Sequence, residues 1–216
     1  MKELDIPEFL KSDPNENYGR WKEIVEEVRA RTGYNVGSFH DLVVARNYIP
    51  EAMEILIENL WDEQDPHIVA GLCRALLDAR YSPLIKVNRL IEKYKSFQDT
   101  WVRNNPNGGK GTIAHLISRM IDKDDLDKIY DVFLNDDSLG DTRVWFLDVL
   151  NKYKANQKFY DYLLSHKDEY TTTDEIEIYE GEVTKMKNKE LGLVINRILS
   201  SKKWKKFAEE NKTITQ

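Results

Sequence analysis

The side chains of this chain that are best suited to chemistry are its histidines and carboxylates. The four histidines stand far apart in the sequence, and none has the His-Glu-x-x-His spacing of a metal site. They are His40, His67, His115 and His166. The carboxylates are abundant, but none has a defined partner that would shift its pKa for acid or base catalysis. We therefore predict no metal, no cofactor and no catalytic residue.

A second feature with chemical potential is the stretch from Gly108 to Thr112, which reads Gly-Gly-Lys-Gly-Thr. It departs from a phosphate-binding loop twice, because an asparagine stands where the first glycine is needed and Gly111 replaces the Ser or Thr after Lys110. No predicted strand precedes it. We interpret the stretch as a flexible entry into a helix.

Composition favours one helix-rich domain. The 216 residues include only 10 Gly and 6 Pro, fewer than many short strands would require. A hydrophobic share of 41% and a charged share of 32%, with no long apolar run, exclude a disordered chain and a membrane span. The net charge of -6 does not favour nucleic acid as a partner.

Cysteine usage and the first residues indicate the compartment. Cys73 is the single cysteine and lies in an apolar-periodic segment, so we expect a small core residue rather than a reactive thiol. The first eleven residues carry acids where a secretory peptide needs an apolar stretch. We therefore expect a cytoplasmic protein.

Apolar residues recur with helical spacing along most of the chain, and the helices come in pairs. One set of helices has equivalent positions spaced by 30, 44, 33 and 45 residues, at Phe39, Val69, Ile113, Phe146 and Leu191. The partner helices drift in step, with spacings of 31, 42 and 33, at Met53, Leu84, Leu126 and Phe159. The extra residues lie at 96–111, a predicted inserted loop, and at about 167–188.

With these pairs the chain resembles the HEAT-like family of helical repeats from about Phe39 to Leu199. Asp65-Pro66 and Asp141-Thr-Arg143 echo the Asp and Arg of that family's pattern, although the other inner helices lack both. The resemblance implies an all-α fold: a right-handed α-α superhelix of about four to five helix pairs in one domain, 1–216. Residues 1–17 would be an N-terminal extension and 200–216 a C-terminal cap and tail. A non-repetitive helical domain is the alternative.

Two segments have the composition of binding surfaces. In the inserted loop, Trp101 and Arg103 are residue types typical of binding hot spots, although the tryptophan could equally fold onto the helix ends. The stretch 174–183 is densely acidic, with Glu175, Glu177, Glu180 and Glu182. Asp174 and Glu177 would form a capping box that opens a helix, whereas the alternation of Glu and Ile fits a short strand instead.

We therefore expect a non-enzymatic protein-protein interaction module. A sharper form of this hypothesis is a bacterial immunity-type inhibitor that binds a basic toxin domain through the acidic stretch and the Trp101 loop. The alternative is an enzyme. HEAT-like-repeat DNA glycosylases use Trp, Asp and Arg on the concave face, and Trp145, Asp148 and Arg143 share one predicted helix, but no continuous basic row accompanies them.

Overall fold

A computed structural model describes residues 2–6, 19–98, 109–134, 143–152, 156–168, 171–179, 182–188 and 190–212, with the backbone alone within 171–191. The described residues form two compact units; here unit 1 means the described residues up to 120, and unit 2 means the described residues from 121 onward. Both units are built mainly from helices, so the all-α class is confirmed. Among the described residues, none of the helices combines the length and the apolar character needed to span a bilayer.

Unit 1 contains six helices and a 3-10 turn at Ala79–Leu84. The helices are α1 (Arg20–Thr32), α2 (Phe39–Val44), α3 (Pro50–Asp62), α4 (Pro66–Ala75), α5 (Val87–Ser96) and α6 (Gly109–Met120). The predicted start of α4 is confirmed, because Pro66 is its first residue and Asp65 caps it. One Asp65 carboxylate oxygen accepts hydrogen bonds from the His67 and Ile68 amides at 2.8 and 3.3 Å.

The core of unit 1 surrounds α4, which packs against α2, α3 and α6. Nearly every side chain of α4 is buried, including Cys73, whose exposure is 0%, so the prediction of a core cysteine is confirmed. Burial raises the pKa of the Cys73 thiol to about 12, which keeps it protonated.

Two glycines allow the helices to approach α4 closely. A Cβ at Gly71 would overlap the ring of Trp21 on α1, which lies 4.1 Å from the ring of Phe39. A Cβ at Gly109 would lie 2.8 Å from the Phe97 ring and 3.0 Å from Pro66 Cα. The glycine-rich stretch thus contributes to helix packing.

The structure corrects two predicted boundaries in unit 1. The stretch 109–111 was expected to be loop, but it forms the first turn of α6 and buries Gly109 and Gly111. The partner helix expected from Leu84 begins at Val87 instead, because Pro83 lies in the 3-10 turn that ends at Leu84. The apolar faces beginning at Met53, Val69 and Ile113 are confirmed in α3, α4 and α6.

Unit 2 contains five helices and a two-stranded sheet. A 3-10 turn at Lys123–Asp125 leads into α7 (Leu126–Leu134), followed by α8 (Arg143–Lys152), α9 (Gln157–His166), β1 (Thr171–Tyr179), β2 (Glu182–Asn188), α10 (Glu190–Leu199) and α11 (Lys202–Lys212). Helix α10 packs against α8, α9 and α11, and β1 also contacts it.

The described residues of the acidic stretch, 174–179 and 182–183, lie on β1 and β2, so of the two alternatives the helix with its capping box at Asp174 and Glu177 is wrong. Strands β1 and β2 pair antiparallel, with Glu175 opposite Lys185 and Glu177 opposite Val183. The alternation of Glu and Ile, which favours an extended strand, describes the segment correctly.

Trp204 anchors the last helix of unit 2. It is 1% exposed, and its indole N–H donates to Asn151 Oδ1 at 2.8 Å. Its ring meets Phe159 edge to face and stacks parallel to Tyr160, with centroids 5.4 and 6.0 Å apart. Lys203 beside it donates to the Asn151 carbonyl oxygen at 2.7 Å, so both residues attach α11 to α8.

Replacing Trp204 with Ala should lower the free energy of unfolding by about 3–5 kcal/mol, because a large buried ring and its hydrogen bond are lost. Trp204→Phe should cost less, since it keeps the ring contacts. Urea denaturation followed by circular dichroism measures both, with exposed Lys205→Ala as the control. A loss below about 1 kcal/mol for Trp204→Ala would contradict this role.

Candidate functional site

An acidic cleft of about 430 Å³ lies on unit 1 between α1 and α3. We name it the α1–α3 cleft, and its lining contains four carboxylates, one guanidinium and one amide. These belong to Arg20, Glu27, Glu58, Asn59, Asp62 and Glu63. The lining therefore has a formal charge of -3 at neutral pH.

The helical period places these side chains around the cleft. Helix α1 buries Ile24, Val25 and Val28, while α3 buries its apolar face from Ala52 to Leu60. The polar residues of each helix lie beside its buried face, on the side that points toward the other helix. The same packing that forms the core therefore lines the cleft.

Arg20 joins one side of the cleft to the other. Its guanidinium donates to Asn59 Oδ1 at 2.6 Å and contacts Glu63 at 3.4 Å, and a third bond reaches Glu23 at 2.8 Å. The bond to Glu23 raises the pKa of Arg20 most, and the bond to Glu63 raises it further, against the opposing effect of burial. The cation thus remains charged and bridges α1 to the end of α3.

Glu27 and Arg31 continue the network along the cleft. The Asn59 amide donates to Glu27 Oε2 at 3.1 Å, and Arg31 Nη1 donates to Glu27 and Glu58 at 2.8 and 2.7 Å. The Asn59 hydrogen bond, more than Arg31, lowers the pKa of Glu27. These bonds hold the carboxylates in fixed positions before any ligand arrives.

Lys93 supports the end of α3 from beneath. Its side chain is buried, and its ammonium donates to the carbonyl oxygens of Trp61, at 3.2 Å, and of Glu63. Burial lowers the pKa of Lys93, and nearby Glu63 opposes that effect. Asp62 and Glu63 bring negative charge to the carbonyl end of a helix, which the helix dipole disfavours, and the ammonium offsets it.

The charge of the cleft suits it to binding cationic groups. Its lining holds no histidine, cysteine or serine that could act as a nucleophile or as a base near neutral pH. Within the described ranges, no group of three His, Cys, Asp or Glu side chains has the arrangement of a metal site. The side chain of Glu58 is 59% exposed, so a basic side chain of a partner could reach it.

The structure describes three of the six binding residues predicted from sequence. Trp101, Arg103 and Glu180 lie outside the described residues. Glu175 and Glu177 lie on β1, and Glu182 begins β2 opposite Tyr179. These three acids remain together on one hairpin, although as strand residues rather than as a helix face.

Arg143, which the enzyme alternative would place on an exposed face, is buried. Its side chain is 2% exposed, and Nη1 donates to the Tyr162 hydroxyl at 3.0 Å. The Asp148 side chain lies outside the described residues, and Trp145 is half-buried. A guanidinium enclosed in this way is unsuited to contacting phosphates on a surface.

The α1–α3 cleft was not predicted from the sequence, because its acids belong neither to an apolar helix face nor to the densest acidic run. The signal was nevertheless present in the sequence: Glu58 and Asp62 lie one turn apart on α3, and Glu27 lies one turn before Arg31 on α1. What the sequence did not reveal was that these two flanks face each other.

Neither protein-family models nor curated proteins nor solved structures give a match to this chain. The geometry of the chain itself therefore has to support any functional proposal.

In a carbon-13 NMR titration, the Glu27 carboxyl should titrate below its ordinary pKa of 4.5, because Asn59 stabilises the carboxylate. Asn59→Ala should move this pKa upward. The stabilisation is present above pH 4.5 and is lost as the pH falls through the lowered pKa, so the variant's stability deficit should shrink in acid. Asn35→Ala, which removes an amide bonded to Glu3, should leave Glu27 unchanged. An unmoved Glu27 in Asn59→Ala would refute the assignment.

Lys93→Met should lower the free energy of unfolding by about 1–3 kcal/mol, because it leaves the last carbonyl groups of α3 without their charged donor. The comparison is with Lys95→Met, an exposed lysine on the same helix, which should change stability by less than about 0.5 kcal/mol. Both are measured by urea denaturation. Equal midpoints for the two variants would show that Lys93 does not support α3.

Proposed function

We propose that this chain is a non-enzymatic protein-protein interaction module built on a HEAT-like helical solenoid. The packing within each unit supports the solenoid: α4 lies between α2 and α6 in unit 1, and α10 packs against α8 in unit 2. These are the alternate helices of the predicted inner series. The intervening helices α3, α5 and α9 pack beside them, as the partner series of a solenoid would.

The partner we propose is a basic protein domain, and the α1–α3 cleft is the observation that carries this proposal. Three of its four carboxylates, Glu27, Glu58 and Glu63, are held there by hydrogen bonds from Asn59, Arg31 and Arg20. Groups fixed in advance lose little conformational freedom on binding, so they add affinity as well as specificity. Asp62 and Glu63 stand at the carbonyl end of α3, where the helix dipole disfavours negative charge, and we attribute their presence there to partner binding.

A basic toxin domain, such as a nuclease, is the sharper form of the partner, and the chain would act as its immunity-type inhibitor. Lysines and arginines that bind nucleic acid form the kind of surface that the four carboxylates of the cleft, three of them fixed, would complement. The acidic hairpin, with Glu175, Glu177 and Glu182, would supply a second negative surface. Trp101 and Arg103 remain predicted contacts.

Affinity capture tests this proposal with two matched baits. Wild-type protein and the Glu58→Lys/Asp62→Lys variant are each immobilised and exposed to a native lysate. The bound material is then eluted with a salt gradient. We expect the wild type to retain one basic protein stoichiometrically and the variant to bind it at least about tenfold more weakly, since contacting charge pairs are reversed. Isothermal titration with the purified partner gives the affinities.

The control is Glu54→Lys/Glu92→Lys, which makes the same change in net charge at exposed positions outside the cleft lining. Partner affinity that falls equally in both variants would point to net charge rather than to the cleft. A second variant that reverses Glu175, Glu177, Glu180 and Glu182 reports on the hairpin separately. Recovery of nucleic acid with a steep salt dependence would favour the glycosylase alternative instead.

A further inference from the structure

A second surface of unit 1 lies at the opposite end of α3 from the acidic cleft. It centres on Tyr48, two residues before the helix begins, and we name it the Tyr48 platform: Tyr48 with Arg46, Arg80 and Arg119. Tyr48 is 46% exposed, a large value for an aromatic ring that is also packed within the fold.

The Tyr48 ring is held in place from below. It stacks on Tyr81 with centroids 5.2 Å apart and an interplanar angle of 16°. Tyr81 is buried, and its hydroxyl accepts a hydrogen bond from the Ile49 amide at 3.3 Å, which fixes it to the start of α3. The exposed ring therefore rests on a ring that belongs to the core.

Arg80 fixes the ring from the side. Its Nε donates to Asp78 at 2.7 Å, its terminal nitrogens donate to the Arg46 carbonyl at 3.3 and 3.4 Å, and its guanidinium carbon lies 5.9 Å from the Tyr48 ring centre. From the N-terminal segment, the Asp5 carbonyl accepts from the Arg46 amide and the Asp5 amide donates to Asn47, both at 3.0 Å. The loop that carries Tyr48 is thus braced on both sides.

Three exposed arginines lie at this edge of unit 1: Arg46, Arg80 and Arg119. Helix α6, which carries Arg119, contacts the 3-10 turn that carries Arg80. Hydrogen bonding from Arg80 lowers the pKa of Asp78 most, and the charge of Arg119 lowers it further. Asp78 is paired with Arg80, whereas the side chains of Arg46 and Arg119 form no ion pair with a described residue, so two exposed guanidiniums at this edge are open to carboxylates of a partner.

We propose that the Tyr48 platform is a second protein-docking surface, which binds an acidic segment carrying an apolar or aromatic side chain. A rigid, exposed tyrosine with arginines beside it has the composition and the low entropic cost of an interface hot spot. The apolar side chain would pack on the Tyr48 ring, and carboxylates beside it would pair with Arg46 and Arg119. This surface is independent of the acidic cleft and takes a partner of the opposite charge.

A random library of displayed 12-residue peptides tests the proposal without a known partner. Selection on the wild-type protein should enrich peptides that combine Asp or Glu with an aromatic or aliphatic residue. The enriched peptides should bind Tyr48→Ala at least about tenfold more weakly, and Arg46→Gln or Arg119→Gln several-fold more weakly, with the loss reduced at high salt. Tyr48→Phe, which keeps the stacked ring, should retain most of the affinity.

The controls separate this surface from the removal of any arginine and from folding. Arg89→Gln removes an exposed arginine of unit 1 that belongs neither to the platform nor to the cleft lining, and it should bind the peptides like the wild type. An unchanged circular dichroism melt for Tyr48→Ala would show that the fold is intact. The proposal is overturned if no peptide is enriched, if the enriched peptides lack acidic residues, or if they bind Tyr48→Ala as tightly as the wild type. Competition by a DNA duplex that depends on Tyr48 would overturn it in favour of a nucleic-acid surface.

Discussion

The close packing around α4 is the constraint on which the described structure of unit 1 depends. This helix is buried on most of its circumference, so its neighbours must supply apolar surfaces from several directions. Gly71 admits the Trp21 ring of α1, and Gly109 admits Phe97 beside the first residue of α4. Since side chains at either position would push these elements apart, the two glycines determine how near the helices come.

Helix α3 connects this packing to both candidate surfaces of unit 1. Its apolar face lies in the core. Its C-terminal part carries Glu58 and Asp62 of the α1–α3 cleft, and the loop before it carries Tyr48. Each end is braced by a side chain from a later element, Lys93 at one end and Tyr81 at the other. A rigid helix with fixed ends can present two surfaces of different charge without either one disturbing the other.

Unit 2 combines helical packing with a strand hairpin. Its helices are held by aromatic contacts around Trp204 and by the enclosed Arg143. A two-stranded sheet has little stability of its own in water, so the contact of β1 with α10 supports the hairpin. The acidic residues of β1 are therefore carried by an element that depends on the helices beside it.

The sequence by itself determined the helical class and most of the helices, because burying one apolar stripe per helix imposes a period that can be read directly. Asp65-Pro66 marked a helix start for an equally local reason, and the place of Cys73 in an apolar stripe marked it as core. For 174–183 the sequence left two alternatives open, because capping residues favoured a helix there while alternation favoured a strand. Strand pairing depends on a second segment, and the sequence pattern of the first does not identify it.

Only the tertiary structure decided where the surfaces lie. Glu27 and Glu58 are 31 residues apart in the chain, and no local pattern indicates that Arg31 bonds to both. Tyr48 and Tyr81 are also distant, and their stacking follows from the 3-10 turn that returns the chain to the start of α3. The sequence of each helix by itself indicates which face is buried, whereas a binding surface arises from side chains that meet only after the helices have packed.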